Sequence, residues 1–383
     1  MSDRPVYITD VTAFLPGAPI GNDDMERILG QVGERPSRAR RAILRSNGIT
    51  SRHYAIDPAT LTPTHSNAQM TAEAVRKLDG ERIALTDIEC LACGTSMPDQ
   101  HLPNHASMVQ GELGLPHLEA VATSGVCASS MAALKYAYMA VRSGLHRNAV
   151  ATGSDRPSAI MRQHHFSAEV EAAAAQLEKR PEIAFEKDFL RWMLSDGAGA
   201  MLLEGTPASA GPSLQIDWLE MLSYAGEMEA CMYAGAQKTE DGTLHSWQDC
   251  DPQILAADSV MTIKQDVKLL NENIVRYTVE KPLAEISKRH GLSAANIDWF
   301  LPHYSSEFFR DKLAAGLTAI GLDIPMERWF TNLTYRGNTG AASMYLMLEE
   351  LFHSGRLRSG ERILCYVPES GRFSTAFLHL TVT

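Results

Sequence analysis

Short apolar runs alternate with longer amphipathic segments along almost the whole chain, and this alternation constrains the fold more than any other feature of the sequence. In the first half, strand-like runs stand at 6–16, 88–93, 120–123 and 148–154, and helix-like patterns at 67–79, 104–114 and 127–143. In the second half, strand-like runs stand at 214–222, 297–302, 362–367 and 374–382, and helix-like patterns at 261–290, 308–317 and 340–354. Such alternation is typical of an α/β architecture and predicts a mainly parallel sheet.

The length of the chain and the similar order of elements in its two halves predict a duplicated architecture. With 383 residues, 45% of them hydrophobic, the chain can bury more core than one simple domain holds. We find no internal sequence repeat, and expect two pseudo-duplicated α/β halves, 1–205 and 206–383. Residues 155–191 interrupt the first half as a helical insertion, which either decorates the surface or covers a site.

The charge of the chain argues against one class of partner and leaves another open. A formal net charge of −11 disfavours general nucleic-acid binding. Five arginines nevertheless fall within eleven positions between Arg35 and Arg45. This segment is either a solvated helix face or a docking patch for an anionic partner, such as a phosphopantetheine carrier.

The cysteines and the apolar segments indicate the compartment. The six cysteines do not form the dense framework of a small secreted protein. Cys90 and Cys93 form a C-x-x-C pattern on an expected strand, where they face opposite sides and do not converge on a metal. The N-terminus lacks a signal-peptide core, and no stretch reaches the roughly 18 apolar residues that span a membrane. We expect a soluble, cytoplasmic protein with free thiols and no metal.

Cys127 is the first candidate for chemistry. It follows an apolar strand in Thr123-Ser-Gly-Val-Cys-Ala-Ser-Ser130, and small residues then open a helix. Backbone N–H groups and the helix macrodipole at that position favour the thiolate, which is the nucleophilic form. Small neighbours leave room for a substrate. The alternative is that Cys127 only fills space in the core.

His303 and Asn338 are the second and third candidates. His303 stands at the carboxyl end of an apolar strand, where ligands gather in open α/β folds, although a lone histidine there is often structural. Beside a nucleophilic cysteine it could serve as a base or hydrogen-bond donor. Asn338 lies in Tyr335-Arg-Gly-Asn-Thr-Gly-Ala-Ala-Ser343, either as a helix-capping turn residue or as a neutral donor to a carbonyl oxygen.

These three motifs, in this order and spacing, resemble the beta-ketoacyl-ACP synthase III family. Leu194-Ser-Asp-Gly-Ala-Gly-Ala200 is similar to the Gly-Asp-Gly-Ala-Gly-Ala segment of that family. Asn47-Gly-Ile-Thr-Ser-Arg-His53 is similar to its Thr-Gly-Ile-x-x-Arg segment. The resemblance covers nearly the whole chain.

The resemblance implies the thiolase fold, with two α/β halves in five αβαβα layers, and a homodimer. It implies that Cys127 accepts the acyl group, while His303 and Asn338 bind the thioester carbonyl of the extender and stabilise its enolate. The backbone N–H groups of Cys127 and Gly371 would form the oxyanion hole. Arg45 and Arg52 would bind the carrier. Substrates would arrive on CoA or acyl carrier protein (ACP), with no other cofactor.

The chain also departs from the family pattern. The usual Pro-His-Gln-Ala-Asn becomes Pro302-His-Tyr-Ser-Ser306, the C-terminal turn keeps one glycine, and Ser46 stands where the family has a CoA-contacting arginine, with Arg45 one residue away. These changes argue against the housekeeping start of fatty-acid synthesis. The opening residues 7–22 and the ending Val367-Pro-Glu-Ser-Gly-Arg-Phe-Ser374 resemble ketosynthases of dialkylresorcinol and stilbene-type pathways, which join two beta-ketoacyl units and close a ring.

We therefore expect a condensing enzyme that joins a Cys-bound acyl group to a malonyl- or beta-ketoacyl-thioester, with or without ring closure. Neutral His and Asn donors suit an enolate, whereas an Asp in place of Asn338 would repel it. The first alternative is an acyltransferase that moves the acyl group to a hydroxyl or amine. The second is an inactive partner subunit that retains only the fold.

Overall fold

The structure, a computed structural model, describes residues 4–32, 40–80, 82–166 and 190–383. The strands are β1 (Tyr7–Phe14), β2 (Ile20–Gly21), β3 (Ser51–Arg52), β4 (Cys90–Thr95), β5 (Glu119–Ser124), β6 (Asn148–Asp155), β7 (Gly197–Glu204), β8 (Leu214–Ser223), β9 (Met232–Tyr233), β10 (Ala236–Lys238), β11 (Leu244–Ser246), β12 (Lys264–Gln265), β13 (Trp299–Pro302), β14 (Arg362–Glu369) and β15 (Ser374–Val382). The α-helices are α1 (Met25–Leu29), α2 (Arg40–Asn47), α3 (Asn67–Arg76), α4 (His105–Leu113), α5 (Ser129–Ser143), α6 (Pro252–Ala257), α7 (Val267–Val275), α8 (Lys281–His290), α9 (Arg310–Ala319), α10 (Leu333–Arg336) and α11 (Ser343–Phe352). Single 3-10 turns occur at Leu85–Asp87, Pro157–Ala159, Gln163–His165, Trp247–Asp249, Ala294–Asn296, Glu307–Phe309, Met326–Arg328 and Gly340–Ala342, and a π turn at Arg276–Glu280.

The long strands form one nine-stranded sheet in the order β13-β14-β15-β8-β1-β7-β6-β4-β5. The parallel pairs are β13–β14, β4–β6 and β4–β5, and the pairs at the centre of the sheet are antiparallel. The prediction of a mainly parallel sheet is therefore wrong. Part of the reason is connection length: the turn from β14 to β15 is too short for the crossover that a parallel pair needs.

The sheet and helices stack in five layers around two central helices. Alternate residues of both parts of the sheet, such as Ala151 of β6 and Cys365 of β14, meet in one core around α5 and α11. The opposite face of β4–β7 packs on α3 and α4. The opposite face of β13–β15 packs on α7, α8 and α9. This αβαβα arrangement confirms the predicted thiolase-type fold, while the division of the chain at residue 205 stays a prediction.

Most predicted elements agree with the structure, and the differences are local. The stretch expected to be helical at 261–290 contains β12, then α7, the π turn and α8 in succession. The expected insertion at 155–191 begins as the end of β6 and two 3-10 turns; its Ala- and Glu-rich part at 169–179 lies outside the described residues. The two thiols of the C-x-x-C pattern face different cores, as predicted: Cys90 faces the central core and Cys93 the outer one.

Strand β7 was not predicted, because glycine is unfavourable in strands. The packing of α11 on β7 explains why glycine is needed there. A Cβ atom on Gly199 would lie 2.4 Å from the Cβ atom of Tyr345, which is fully buried in α11. Gly199 therefore lets α11 approach the backbone of the sheet.

In the part of the chain that the structure describes, no helix has the length and apolarity needed to cross a membrane.

Candidate active site

Cys127 lies in the turn between β5 and α5, at the carboxyl end of a parallel strand pair. The turn is held internally, because the Val126 carbonyl accepts hydrogen bonds from the N–H and Oγ of Ser129, at 3.1 and 2.7 Å. Close packing of α5 on β4 fixes its position: a Cβ atom on Gly94 would lie 2.4 Å from the Cα atom of Ser130. Cys127 therefore lies just before a helix whose position is fixed by close packing, as the sequence predicts.

His303 follows β13 and is held by the neighbouring strand. Its backbone N–H donates to the Tyr366 carbonyl of β14 at 2.8 Å. The residue is only 4% exposed, and burial lowers the pKa of its imidazole to about 4. At neutral pH the ring is therefore uncharged, as a neutral donor to a carbonyl oxygen requires.

Asn338 is fixed through its backbone and through one side of its amide. Its N–H donates to the Met193 carbonyl at 3.0 Å, and its carbonyl accepts from the Ser195 N–H at 2.8 Å. The side-chain Oδ1 accepts from the N–H of Gly340 at 3.0 Å. The amide oxygen is thereby engaged, which leaves the Nδ2 donor for a ligand.

A buried carboxyl group holds the turn that follows Asn338. Asp155, at the end of β6, accepts hydrogen bonds from the N–H groups of Ser96 (2.8 Å) and Ala341 (2.6 Å) and from the Thr95 hydroxyl (3.0 Å). A Cβ atom on Gly340, whose φ is +56°, would lie 2.1 Å from Asp155 Oδ2. Only glycine fits there without displacement. Asp155 thus ties the Asn338 turn to the ends of two strands, a role that the sequence did not indicate.

Cys127, His303 and Asn338 line one cavity. Its empty volume is about 640 Å³, part of it open to solvent. Most of the remaining wall is apolar, and four of its residues come from α7 and α9 of the outer helical layer. The wall residues beside these three are Leu190, Met193, Met232, Gln265, Leu270, Ile274, Val275, Tyr304, Ser305, Phe309, Leu313, Tyr366, Pro368 and Ser370. The apolar wall residues were not predicted, because their pattern is that of ordinary core positions.

The ionisation state of Cys127 differs from the expectation. Burial raises the pKa of its thiol far above the ordinary value, and the carboxylates of Asp155 and Glu369 act in the same direction. These effects outweigh the N-terminus of α5, which was expected to favour the thiolate. The resting group is therefore a thiol, and its proton must leave when an acyl group is transferred.

Gly371 lies close to the nucleophile turn, in the turn between β14 and β15. A Cβ atom on Gly371 would be 3.0 Å from Cγ2 of Val126, the residue before Cys127. The Gly371 carbonyl accepts a hydrogen bond from the N–H of Cys231 at 2.9 Å, which orients the turn. The oxyanion-hole assignment of Gly371 is consistent with this proximity and stays a prediction.

The two arginines expected to bind a carrier have different environments. Arg52 is fully buried; its guanidinium donates to the Trp192 carbonyl and to Asn22 Oδ1, and burial lowers its pKa to about 10. Because it has no exposed surface, the carrier-binding expectation for Arg52 is wrong, and its role is structural. Arg45 is exposed in the last turn of α2, where the expectation stays open.

One possible set of metal ligands exists among the described residues, away from this cavity. Ligand atoms of Cys90, Glu119 and His146 lie within 4.8 Å of one another. Cys90 and Glu119 begin β4 and β5, whereas Cys127 follows the other end of β5. Glu119 already accepts hydrogen bonds from Tyr136 and pairs with His146 at 2.5 Å. This group is explained as a hydrogen-bonded cluster at the amino end of the sheet.

Two family profiles match the chain, and each contains part of the site. Residues 64–208, which include Cys127, match the N-terminal domain of beta-ketoacyl synthases. Residues 287–376, which include His303, Asn338 and Gly371, match the C-terminal domain of 3-oxoacyl-[acyl-carrier-protein] synthase III.

Relatives and solved structures match over nearly the whole chain at low identity, and the solved structures show the same fold. The beta-ketoacyl-[acyl-carrier-protein] synthase III of Koribacter versatilis is 24% identical over 98% of both chains. The 3-oxoacyl-(acyl carrier protein) synthase III of Xanthomonas oryzae superposes with a TM-score of 0.73 at 18% identity, over 100% of both chains. The tetronic acid condensing enzyme AbyA1 superposes with a TM-score of 0.72 at 19% identity, over 98% of this chain and 99% of that one.

The buried neutral state of His303 predicts a pH-dependent stability. Between pH 6.5 and 4 the unfolded chain binds a proton at this imidazole that the folded chain excludes. The free energy of unfolding therefore falls as pH drops through this window, by about 2 kcal/mol from pH 7 to pH 5 for this one group. Urea unfolding of the wild type and His303→Gln at both pH values should show the smaller loss in the variant. His117→Gln, at an exposed position, is the control; equal losses in wild type and His303→Gln would contradict the assignment.

Proposed function

The chain belongs to the beta-ketoacyl-ACP synthase III family of thiolase-fold condensing enzymes, and on this premise we propose that Cys127 carries the acyl group while His303 and Asn338 activate the second substrate. The observation that carries the proposal is that these three side chains line one largely apolar cavity. A condensing enzyme needs a nucleophile, neutral donors and a dry pocket for an acyl chain at the same place.

In the first step Cys127 attacks the carbonyl carbon of an acyl thioester. The new C–S bond replaces the bond to the carrier sulfur, and the carrier thiol leaves with the proton that Cys127 gives up. The developing oxyanion would accept hydrogen bonds from the N–H groups of Cys127 and Gly371. The apolar wall formed by Leu270, Ile274 and Leu313 would hold the aliphatic part of the acyl group.

In the second step the carbonyl oxygen of the incoming thioester faces His303 and Asn338. When CO2 leaves a malonyl-type unit, the electron pair becomes an enolate, whose oxygen needs donors. Burial keeps His303 neutral, and Gly340 fixes the amide of Asn338 with Nδ2 available. Two neutral donors can stabilise the enolate without the cost of burying a permanent charge. The enolate carbon then attacks the carbonyl carbon of the acyl group on Cys127, and the C–S bond breaks. Cys127 leaves as a thiolate, which takes up a proton from solvent and returns to the thiol.

We propose that the substrates arrive on CoA or ACP and dock near α2. Arg41 and Arg45 are exposed on this helix, and α2 packs against the turn at Glu307–Phe309, whose Phe309 lines the cavity. Arg35 and Arg38 of the same segment lie outside the described residues. Exposed arginines close to a cavity wall suit the phosphates of a phosphopantetheine arm.

The ring-forming variant of this reaction is the finer proposal. The sequence of the β14–β15 turn, Glu369-Ser-Gly-Arg-Phe373, supports it through its resemblance to dialkylresorcinol-pathway ketosynthases. A beta-ketoacyl unit on Cys127 and a second one on a carrier would then condense and close a six-membered ring. Product analysis distinguishes this from simple chain extension, because ring closure releases a further water molecule.

Acylation of Cys127 is the first testable step. Intact-protein mass spectrometry after mixing with straight-chain acyl-CoA and acyl-ACP donors should show one mass gain that matches the acyl group. Cys127→Ala should show none. Ile274→Trp, which narrows the apolar wall, should restrict acylation to shorter chains. A mass gain that persists in Cys127→Ala would reject the nucleophile assignment.

Loss of either donor should impair condensation rather than acylation. His303→Ala and Asn338→Ala should each lower the rate of CO2 release from a malonyl thioester by about 10²–10³-fold, because one enolate donor is missing. Acylation of Cys127, measured separately by mass, should change far less. Full condensation rates in both variants would rule out the proposed roles.

We also propose a homodimer that pairs the β5 edges of two copies. β5 ends the nine-stranded sheet, with its outer edge unpaired in the described chain, and exposed edge strands generally need cover. Sedimentation velocity at micromolar concentration should give twice the 42.0 kDa mass of one chain. A monomer under these conditions would contradict the proposal.

A further inference from the structure

A carboxylate that the proposed reaction does not use lies on the nucleophile turn. Glu369 ends β14, and its Oε2 accepts hydrogen bonds from the N–H groups of Val126 and Ala128, at 2.9 and 3.1 Å. Its Oε1 accepts from the Ser374 hydroxyl at 3.0 Å. One side chain therefore bonds the residues on both sides of Cys127 and the first residue of β15.

Glu369 also connects the two parts of the proposed oxyanion hole. Gly371 lies two residues beyond it, and a Cβ atom on Gly371 would be 3.5 Å from Glu369 Oε1. In the turn that holds Cys127, Gly125 leaves room for the carboxylate, since a Cβ atom on Gly125 would be 3.2 Å from Glu369 Oε2. Within the described residues, the N–H groups of Cys127 and Gly371 have no oxygen or nitrogen acceptor. They remain available to a substrate oxygen while Glu369 occupies the neighbouring donors.

The charge of Glu369 also disfavours the thiolate form of Cys127. An anion at the N-terminus of α5 opposes the positive end of the macrodipole. Burial raises the pKa of the Cys127 thiol, and the carboxylates of Asp155 and then Glu369 add to this effect. The site thus contains a group that aligns backbone donors and at the same time disfavours the free thiolate.

We propose that Glu369 is a positioning residue: it aligns the N–H groups of Cys127 and Gly371 for acyl transfer, and its negative charge beside the nucleophile turn opposes formation of the Cys127 thiolate. The proposal rests on the acyl-transfer role of Cys127. A purely structural role would predict only a loss of activity when Glu369 is changed. Under this proposal, loss of the charge should make Cys127 more reactive, whereas loss of the alignment should slow acyl transfer.

Four other titratable groups approach the cavity from neighbouring parts of the fold. Asp155 approaches from β6 and opposes the thiolate as Glu369 does. His303 approaches from β13 and is neutral at the pH of the experiment. The phenols of Tyr304 and Tyr366 line the cavity, and burial raises their pKa, so both are uncharged. Glu369 is therefore the charged group that can be neutralised without disturbing the Asn338 turn.

Glu369→Gln and Glu369→Ala separate charge from alignment. Glutamine can still accept from the backbone through one oxygen but carries no charge, so Cys127 should react with iodoacetamide about three- to tenfold faster at pH 7, with the pH profile moved to lower pH. Alanine removes the alignment as well. In Glu369→Ala the kcat for acyl transfer should fall about 10²-fold, with little change in KM. Peptide mapping confirms that the alkylated residue is Cys127.

The controls make each outcome decisive. Glu240→Gln removes the same charge at an exposed position and should leave both readouts unchanged. Alkylation needs no substrate, so the proposal is tested by Glu369→Gln even if Glu369→Ala does not fold or if no acyl donor reacts.

An alkylation profile of Glu369→Gln that coincides with the wild type would overturn the charge role. Wild-type acyl transfer in a folded Glu369→Ala would overturn the alignment role. Failure of every donor to acylate Cys127 in the wild type would instead reject the proposed function.

Discussion

Close contact between α5 and the turn before α11, inside a shared core, is the constraint on which the site depends. Gly153 of β6 lies beneath both: a Cβ atom there would be 2.7 Å from the Ser130 side chain and 2.5 Å from the Ala341 carbonyl. The Tyr345 hydroxyl of α11 donates to the Ser130 carbonyl of α5 at 3.0 Å. Because α5 follows Cys127 and α11 follows Asn338, the distance between the two functional residues is set by these buried contacts rather than by flexible loops.

Without a substrate, Cys127 and His303 are uncharged; negative charge develops at the site only when a substrate reacts. Burial keeps His303 neutral and Cys127 protonated, while the carboxyl groups of Asp155 and Glu369 are engaged by backbone N–H groups. The Nδ2 of Asn338 and an imidazole N–H of His303 are among the donors of a cavity whose wall is mainly apolar. Preorganised donors in a dry site stabilise an oxyanion more than the same donors in water would.

The sequence alone was sufficient to predict the fold class. It also named three residues that the structure places in one cavity, because each stands at the end of a strongly patterned element. It was insufficient where tertiary packing overrides local preference. β7 was missed because Gly199 is required by the close packing of α11 and not by the strand itself. The thiolate expectation for Cys127 neglected its burial and the carboxyl groups distant in the chain. Arg52 looked like a carrier ligand because its motif carries no sign of burial. Glu369 lies more than two hundred residues from the turn it caps, so no local pattern could reveal it.

The π turn at Arg276–Glu280 affects how the shape of the cavity can change during evolution. It follows α7, whose Ile274 and Val275 line the cavity, and Thr278 within it bonds both the Ile274 carbonyl and the Tyr366 hydroxyl. A π turn holds one residue more than the α-helix around it requires. Loss of a single codon here would straighten the helix and rotate its cavity-facing side chains, while the sheet and the turns at Cys127 and Asn338 stay in place. The shape of the cavity can thus evolve through one small deletion, separately from Cys127, His303 and Asn338.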